Sequence, residues 1–218
     1  LIRFSAHLSM LFRERPLAER PAAAHAAGFD TVEAWWPQDG ERDAFVTELR
    51  RWGFEVACLN CAGGDIERGE RGFLNVPERR DEAIAAFEQA LAVADVVDAA
   101  AINVLVGREL AGVPRARQLD LVVDVLRELA ELARENARTI VVEALNEVDV
   151  PGALVPSAAD AVILLDRVGS DSVRLLYDAY HAAAAGFDPL VEAPALVDVL
   201  GHVQYADAPG RGAPGTGK

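Results

Sequence analysis

The chain has 218 residues, 51% of them apolar, and a net charge of −14 from 35 acidic against 21 basic side chains. This length carries one domain with a full core, and the acidic balance argues against a nucleic-acid-binding surface. No apolar run approaches the ~18 residues of a membrane helix, and Leu1-Ile2-Arg3-Phe4 lacks a signal-peptide layout, so a cytoplasmic protein away from membranes is expected.

Strand-like and helix-like stretches alternate along the chain. Residues 2–8 read as a strand and 17–27 as a helix, with Gly28 as its stop. Residues 31–35 form the second strand, and the charged amphipathic stretch 41–52 ends at Gly53. The third strand, 54–60, leads into a loop rich in Gly, Asp and Arg (62–76) and then a long helix, 78–97. Residues 101–106 and 115–136 are the next strand and helix, and 139–144 is the fifth strand. A helix follows from the cap-like Ser157 to Val168, then a sixth strand at 173–178. A weaker helical region within 189–200 precedes the seventh strand, 202–206, and the remainder is loop by composition.

Cys58 and Cys61 stand in a C-x-x-C spacing. Zinc would need a second ligand pair, which the sequence lacks, and Cys58 lies inside a strand-like run, so buried bystander thiols are expected.

Strict alternation allows either a doubly wound open sheet or a barrel. No G-x-G-x-x-G or G-x-x-x-x-G-K-[ST] follows a strand. The expectation is therefore an α/β chain, a TIM (β/α)8-type barrel in one domain spanning 1–218. With seven strands counted, the eighth strand–helix unit is missing from the printed sequence, and the natural product is expected to extend beyond Lys218.

Three apolar runs in the second half each end in an oxygen donor: Glu143 after Ile140-Val141-Val142, Asp178 after Leu175-Leu176-Tyr177, and Gln204 after His202-Val203. In a barrel the carboxyl ends of such strands converge on the face that holds the active site. A Glu, an Asp and a Gln arriving there make a hard oxygen cluster suited to one divalent cation, Mg²⁺ or Mn²⁺.

The motifs in this order resemble the hydroxypyruvate isomerase family, within the xylose-isomerase-like TIM-barrel superfamily. They are Leu8-Ser9-Met10-Leu11-Phe12, Gly28-Phe29-Asp30-Thr31-Val32-Glu33, Asn60 with Gly64-Asp65, and Gly69-Glu70-Arg71-Gly72. Val142-Glu143-Ala144-Leu145-Asn146, Asp178-Ala179-Tyr180-His181, His202-Val203-Gln204 and Ala206-Asp207-Ala208-Pro209-Gly210-Arg211 complete the set. The resemblance implies a metal held by Glu143, Asp178 and Gln204, with Glu143 also catalytic. A Glu on the eighth strand would complete both the ligand set and the proton-transfer pair, and it has no counterpart here. On that ground the printed chain is expected to have little activity until extended. The resemblance also implies interconversion of small aldose- and ketose-type sugar acids, such as hydroxypyruvate and tartronate semialdehyde or a 2-oxo-tetronate. A ketose 3-epimerase or a catalytically silent sugar-acid-binding barrel are the alternatives, and homo-oligomerisation is open.

The chemistry needs these residue types. Moving a carbonyl along a carbon chain removes a proton beside it and returns one to the neighbouring carbon, with a carboxylate as base and acid. His181 could donate to a substrate oxygen, and Arg211 could hold a substrate carboxylate through its forked donors. Family members often continue past the arginine with His-Glu-Pro-Gly-Thr-Gly-Glu. This chain has Gly212-Ala213-Pro214-Gly215-Thr216-Gly217-Lys218, which leaves the exact substrate open. Trp35 or Trp36 is a candidate cover for the substrate, and Glu70 with Arg71 a candidate lid. His7 is placed at the floor or mouth of the barrel, His202 in a lower layer without a catalytic role, and His25 on an outer helix.

Overall fold

The structure is a computed structural model that describes residues 2–38 and 40–217; Leu1, Asp39 and Lys218 lie outside the described residues. Seven strands form one all-parallel sheet: β1 (Ala6–His7), β2 (Thr31–Ala34), β3 (Glu55–Asn60), β4 (Ala101–Asn103), β5 (Thr139–Glu143), β6 (Val173–Asp178) and β7 (Leu200–Gln204). Each strand pairs with its predecessor, so the order runs 1 to 7 without reversal. A doubly wound sheet reverses its order at a switch point; an unreversed order is the wall of a curled barrel. Among the described residues β1 and β7 do not pair, so the curl is an open half-barrel.

The crossovers are α1 (Arg20–Ala26), α2 (Arg42–Trp52), α3 (Arg80–Val97), α4 (Arg115–Glu135) and α5 (Ala158–Val168), with α6 (Ala179–Ala184) and α7 (Pro189–Glu192) after β6. In α4, Val122, Leu126, Leu129 and Ala133 recur at helical spacing and are all buried, which fixes the face turned to the sheet. Ser157 accepts the Asp160 backbone N–H at 3.1 Å to start α5, and Gly169 in the left-handed region ends it.

Alternation along the strands sorts the side chains. Leu59, Ile102, Ile140, Val142 and Leu175 point outward into the main core beside Phe87, Leu126 and Leu129. Each such side chain stabilises by about 1.5–3 kcal/mol on full burial. Cys58, Ala101, Val141 and Leu176 point inward and pack on one another as a separate apolar layer. Two residues further along the same strands come Asn60, Asn103, Glu143 and Asp178, so a polar layer sits on an apolar one at the carboxyl ends.

Two register shifts flank this layer. Val32 pairs with Val56 but Glu33 with Cys58, and Leu175 pairs with Leu200 but Leu176 with His202. The second shift skips Gly201, where a Cβ would fall 2.8 Å from both Arg174 Cβ and Val141 Cγ1. The absence of a side chain there lets the β7 backbone close on the layer beneath.

Some elements differ from expectation. The first strand is only Ala6–His7, because Ile2 and Phe4 are 85% and 74% exposed and have nothing to pack on. The fourth ends at Asn103, after which Val106 leaves the sheet for an antiparallel bridge with Gly72. The seventh begins two residues early, at Leu200, and stops at Gln204. Helix α6 was not expected; it begins directly after Asp178, whose Oδ1 accepts the Tyr180 backbone N–H at 2.9 Å. No helix among the described residues is long and apolar enough to cross a membrane.

Candidate metal centre

Three of the inward polar groups converge. One ligand atom each from Glu143, Asp178 and His181 lies within 4.8 Å of the others, and all three residues are buried. Strands β5 and β6 are neighbours, and α6 returns His181 one turn beyond Asp178, over the same point. His181 Nε2 stands 3.5 Å from Glu143 Oε1 and 3.8 Å from Asp178 Oδ2.

Each carboxylate is held on its other side. Glu143 Oε2 accepts Asn103 Nδ2 at 2.9 Å, and Asn103 Nδ2 also reaches Asn60 Oδ1 at 3.3 Å. Burial, and then the negative charge of Asp178, push the Glu143 carboxyl up to about 7. Asp178 Oδ2 accepts a guanidinium N–H of Arg211 at 2.6 Å, and that guanidinium lies 4.9 Å from the centre of the Tyr180 ring. Arg211 therefore pairs with Asp178 in this structure.

His181 has a defined tautomer. The Asn146 backbone N–H donates to Nδ1 at 3.2 Å, and Asn146 Nδ2 lies 2.6 Å from the same atom. The amide cannot be turned round, because Oδ1 accepts the Asp149 N–H at 2.9 Å and Nδ2 donates to Asp149 Oδ2 at 3.1 Å. Nδ1 is thus the acceptor and Nε2 carries the proton toward the two carboxylates. Burial lowers the His181 pKa, in keeping with a neutral ring. In this tautomer Nε2 turns its proton toward Glu143 and Asp178.

Gln204 reaches the polar layer from β7, where its Nε2 donates to Glu33 Oε2 at 3.0 Å. His202 Nε2 lies 2.8 Å from the same oxygen, and Ser5 Oγ is 3.2 Å from Glu33 Oε1. Burial works to raise the Glu33 pKa, but the His202 bond, the nearby His7 and the Gln204 amide hold it below the usual range. Glu33 is therefore an acceptor, and the nitrogen end of the Gln204 amide is the one engaged with it.

The donor set suits a divalent cation. Glu143 and Asp178 are buried carboxylates side by side, and the charge of Asp178 helps to raise the Glu143 carboxyl. A hard cation relieves that repulsion.

The other candidates fall as follows. His7 is half-buried at the carboxyl end of β1, edge-on to Trp35 at 5.6 Å, and its buried Nδ1 has no partner among the described residues. Trp35 is 41% exposed at the end of β2, and Trp36 packs under Arg42. Glu70 accepts the Asp65 N–H and Arg79, while Arg71 donates to the Ile66 and Glu70 carbonyls, so the loop bonds mostly to itself. His25 stacks on Trp52 on the outer surface, and both cysteines are free and buried. Sequence reading assigned no role to Asn60, Asn103, Asn146, Asp149 or Glu33. Asn60 and Asn103 carried the same signal as Glu143, a polar residue closing an apolar strand.

A parallel half-barrel with a buried carboxylate cluster at its carboxyl ends defines a TIM-barrel protein of the enzyme type. The chain belongs to the xylose isomerase-like TIM barrel family, whose model matches residues 21–218, and to its hydroxypyruvate isomerase branch. It is 38% identical to a putative hydroxypyruvate isomerase of Streptomyces coelicolor, over 99% of this chain and 81% of that one. It is 30% identical to a 2-oxo-tetronate isomerase of Cupriavidus necator, over 99% of this chain and 83% of the relative. A crystal structure from Brucella melitensis, described as an AP endonuclease of family 2, superimposes with a TM-score of 0.93 at 30% identity. That match covers 100% of this chain and 84% of the other.

Proposed function

We propose that this protein is a divalent-metal-dependent isomerase of small sugar acids, interconverting aldose- and ketose-type forms such as hydroxypyruvate and tartronate semialdehyde, or acting on a 2-oxo-tetronate. The observation that carries the reading is the convergence of two buried carboxylates, Glu143 and Asp178, with His181 beside them, at the carboxyl ends of adjacent strands.

In this reading Glu143, Asp178 and the Gln204 carbonyl hold Mg²⁺ or Mn²⁺. When bound, the cation supplies electrostatic stabilisation for negative charge that builds on the substrate's oxygens. Glu143 takes the proton from the carbon beside the carbonyl and returns one, and Asn103 fixes which of its oxygens is engaged. His181 Nε2–H donates to the substrate oxygen that gains charge. Arg211 stands within reach of the same centre and is the group suited to a substrate carboxylate. The small-molecule substrate makes nucleic-acid or membrane partners unnecessary.

The test is an NMR assay with Mn²⁺ or Mg²⁺ on hydroxypyruvate, 2-oxo-tetronates and free ketoses in deuterated buffer. Metal-dependent turnover of a sugar acid is expected from a chain carrying an eighth strand with its Glu, with little from the 218 residues alone, and Glu143→Gln should reduce it about 10²–10⁴-fold. Turnover of free ketoses alone would favour a 3-epimerase, and no turnover or exchange by the eight-stranded chain with any of these substrates would overturn the reading.

A further inference from the structure

We infer that Glu33, on β2, is the positioning residue that sets which end of the Gln204 amide faces the metal centre. The inference rests on the proposed role of Gln204 as an oxygen ligand. An amide can ligate a hard cation only through its carbonyl, and a glutamine offers two ends of nearly the same shape. Glu33 distinguishes them. Its Oε2 accepts Gln204 Nε2 at 3.0 Å and lies 2.8 Å from His202 Nε2, two residues earlier on the same strand. An acceptor-only carboxylate excludes the reversed amide, which would set a carbonyl against it.

The backbone is arranged to bring these groups together. Glu33 and Gln204 are both buried, and they lie on β2, the second strand of the sheet, and β7, the last, 171 residues apart in sequence. Each register shift falls at this contact, beside Glu33 on β2 and before His202 on β7. A bulge re-aims side chains locally. Ser5 Oγ, 3.2 Å from Glu33 Oε1, holds the other carboxylate oxygen. Groups that orient a ligand in this way typically contribute 10–100-fold to metal affinity.

The test is a Mn²⁺ titration followed by electron paramagnetic resonance on the wild type, Glu33→Gln, Gln204→Ala and the double variant. The neutral amide of Glu33→Gln accepts or donates and no longer selects one end of Gln204. It should weaken Mn²⁺ binding about 10–100-fold, and the double variant should bind no more weakly than Gln204→Ala alone. A merely structural Glu33 would give additive losses, which would overturn the proposal. So would an unchanged affinity in Glu33→Gln where Gln204→Ala binds weakly. If Gln204→Ala binds Mn²⁺ normally, the ligand role of Gln204 has failed and the inference falls with it. A crystal structure of the Mn²⁺-loaded wild type makes the test independent of variant folding. Gln204 Oε1 on the ion with Nε2 still on Glu33 is expected, and a broken Glu33 contact would sink the idea.

Discussion

Glu143 combines two roles through one physical cause. Burial raises its pKa to about 7 from an ordinary 4.5, and Asp178 adds to the shift. Between about pH 4.5 and 7 the folded chain keeps a proton that the unfolded chain has released. Stability must therefore fall as pH rises across that window, by on the order of 3 kcal/mol for this group in metal-free protein. Urea melts in EDTA at pH 5 and pH 8 should show the loss, and Glu143→Gln should flatten it. At His181 the prediction concerns tautomer. Long-range ¹H–¹⁵N NMR should find the proton on Nε2 in metal-free protein, and Asn146→Ala should let the Nδ1–H form appear. A wild-type spectrum dominated by Nδ1–H would contradict the assignment.

At the scale of elements, β7 depends on close approach. Gly201→Ala places a methyl group 2.8 Å from Arg174 Cβ and Val141 Cγ1, so the neighbours must shift. Overpacking of this kind costs about 1–3 kcal/mol, which a lower urea midpoint would register. The same strand shows what the sequence could reveal. Glu143, Asp178 and Gln204 were legible because each closes an apolar run at the carboxyl end of a strand, and the fold places all three in its inner polar layer. Asn146 and Asp149 were not legible, since Asn146 acts through its contact with His181 across 35 residues of chain and Asp149 acts by holding Asn146. Glu33 was quoted for its motif, but a bond over 171 residues leaves no local periodicity to read. Helix α6 was missed because six alanine-rich residues carry too few apolar positions to define a face.

For the whole molecule, the open half-barrel predicts uneven opening. Strands β4 to β6 have neighbours on both sides, whereas β7 has β6 alone, and Val203 on it and Tyr205 just past its end are more than half exposed. Leu190 and Val191 on α7 are also largely exposed. Native-state hydrogen exchange should therefore place Ile140 and Val141 near the global unfolding limit and Val203 well below it. Equal protection in β5 and β7 would show that the edge is covered in solution.

The stacking of a polar layer directly on an apolar one also decides where this chain tolerates changes in length. Glu143 faces inward because it lies an even number of residues beyond Val141, and the same parity links Asp178 to Leu176 and Gln204 to His202. One residue inserted between members of such a pair would turn the acid outward among the leucines and valines that meet the helices, and would leave an apolar side chain facing the centre. Two inserted residues would keep the facing and move only the height. The loops beyond the strands carry no such parity. Length variation is therefore tolerable at the rim and disruptive in the wall, so substrate preference can drift while the reacting centre keeps its frame.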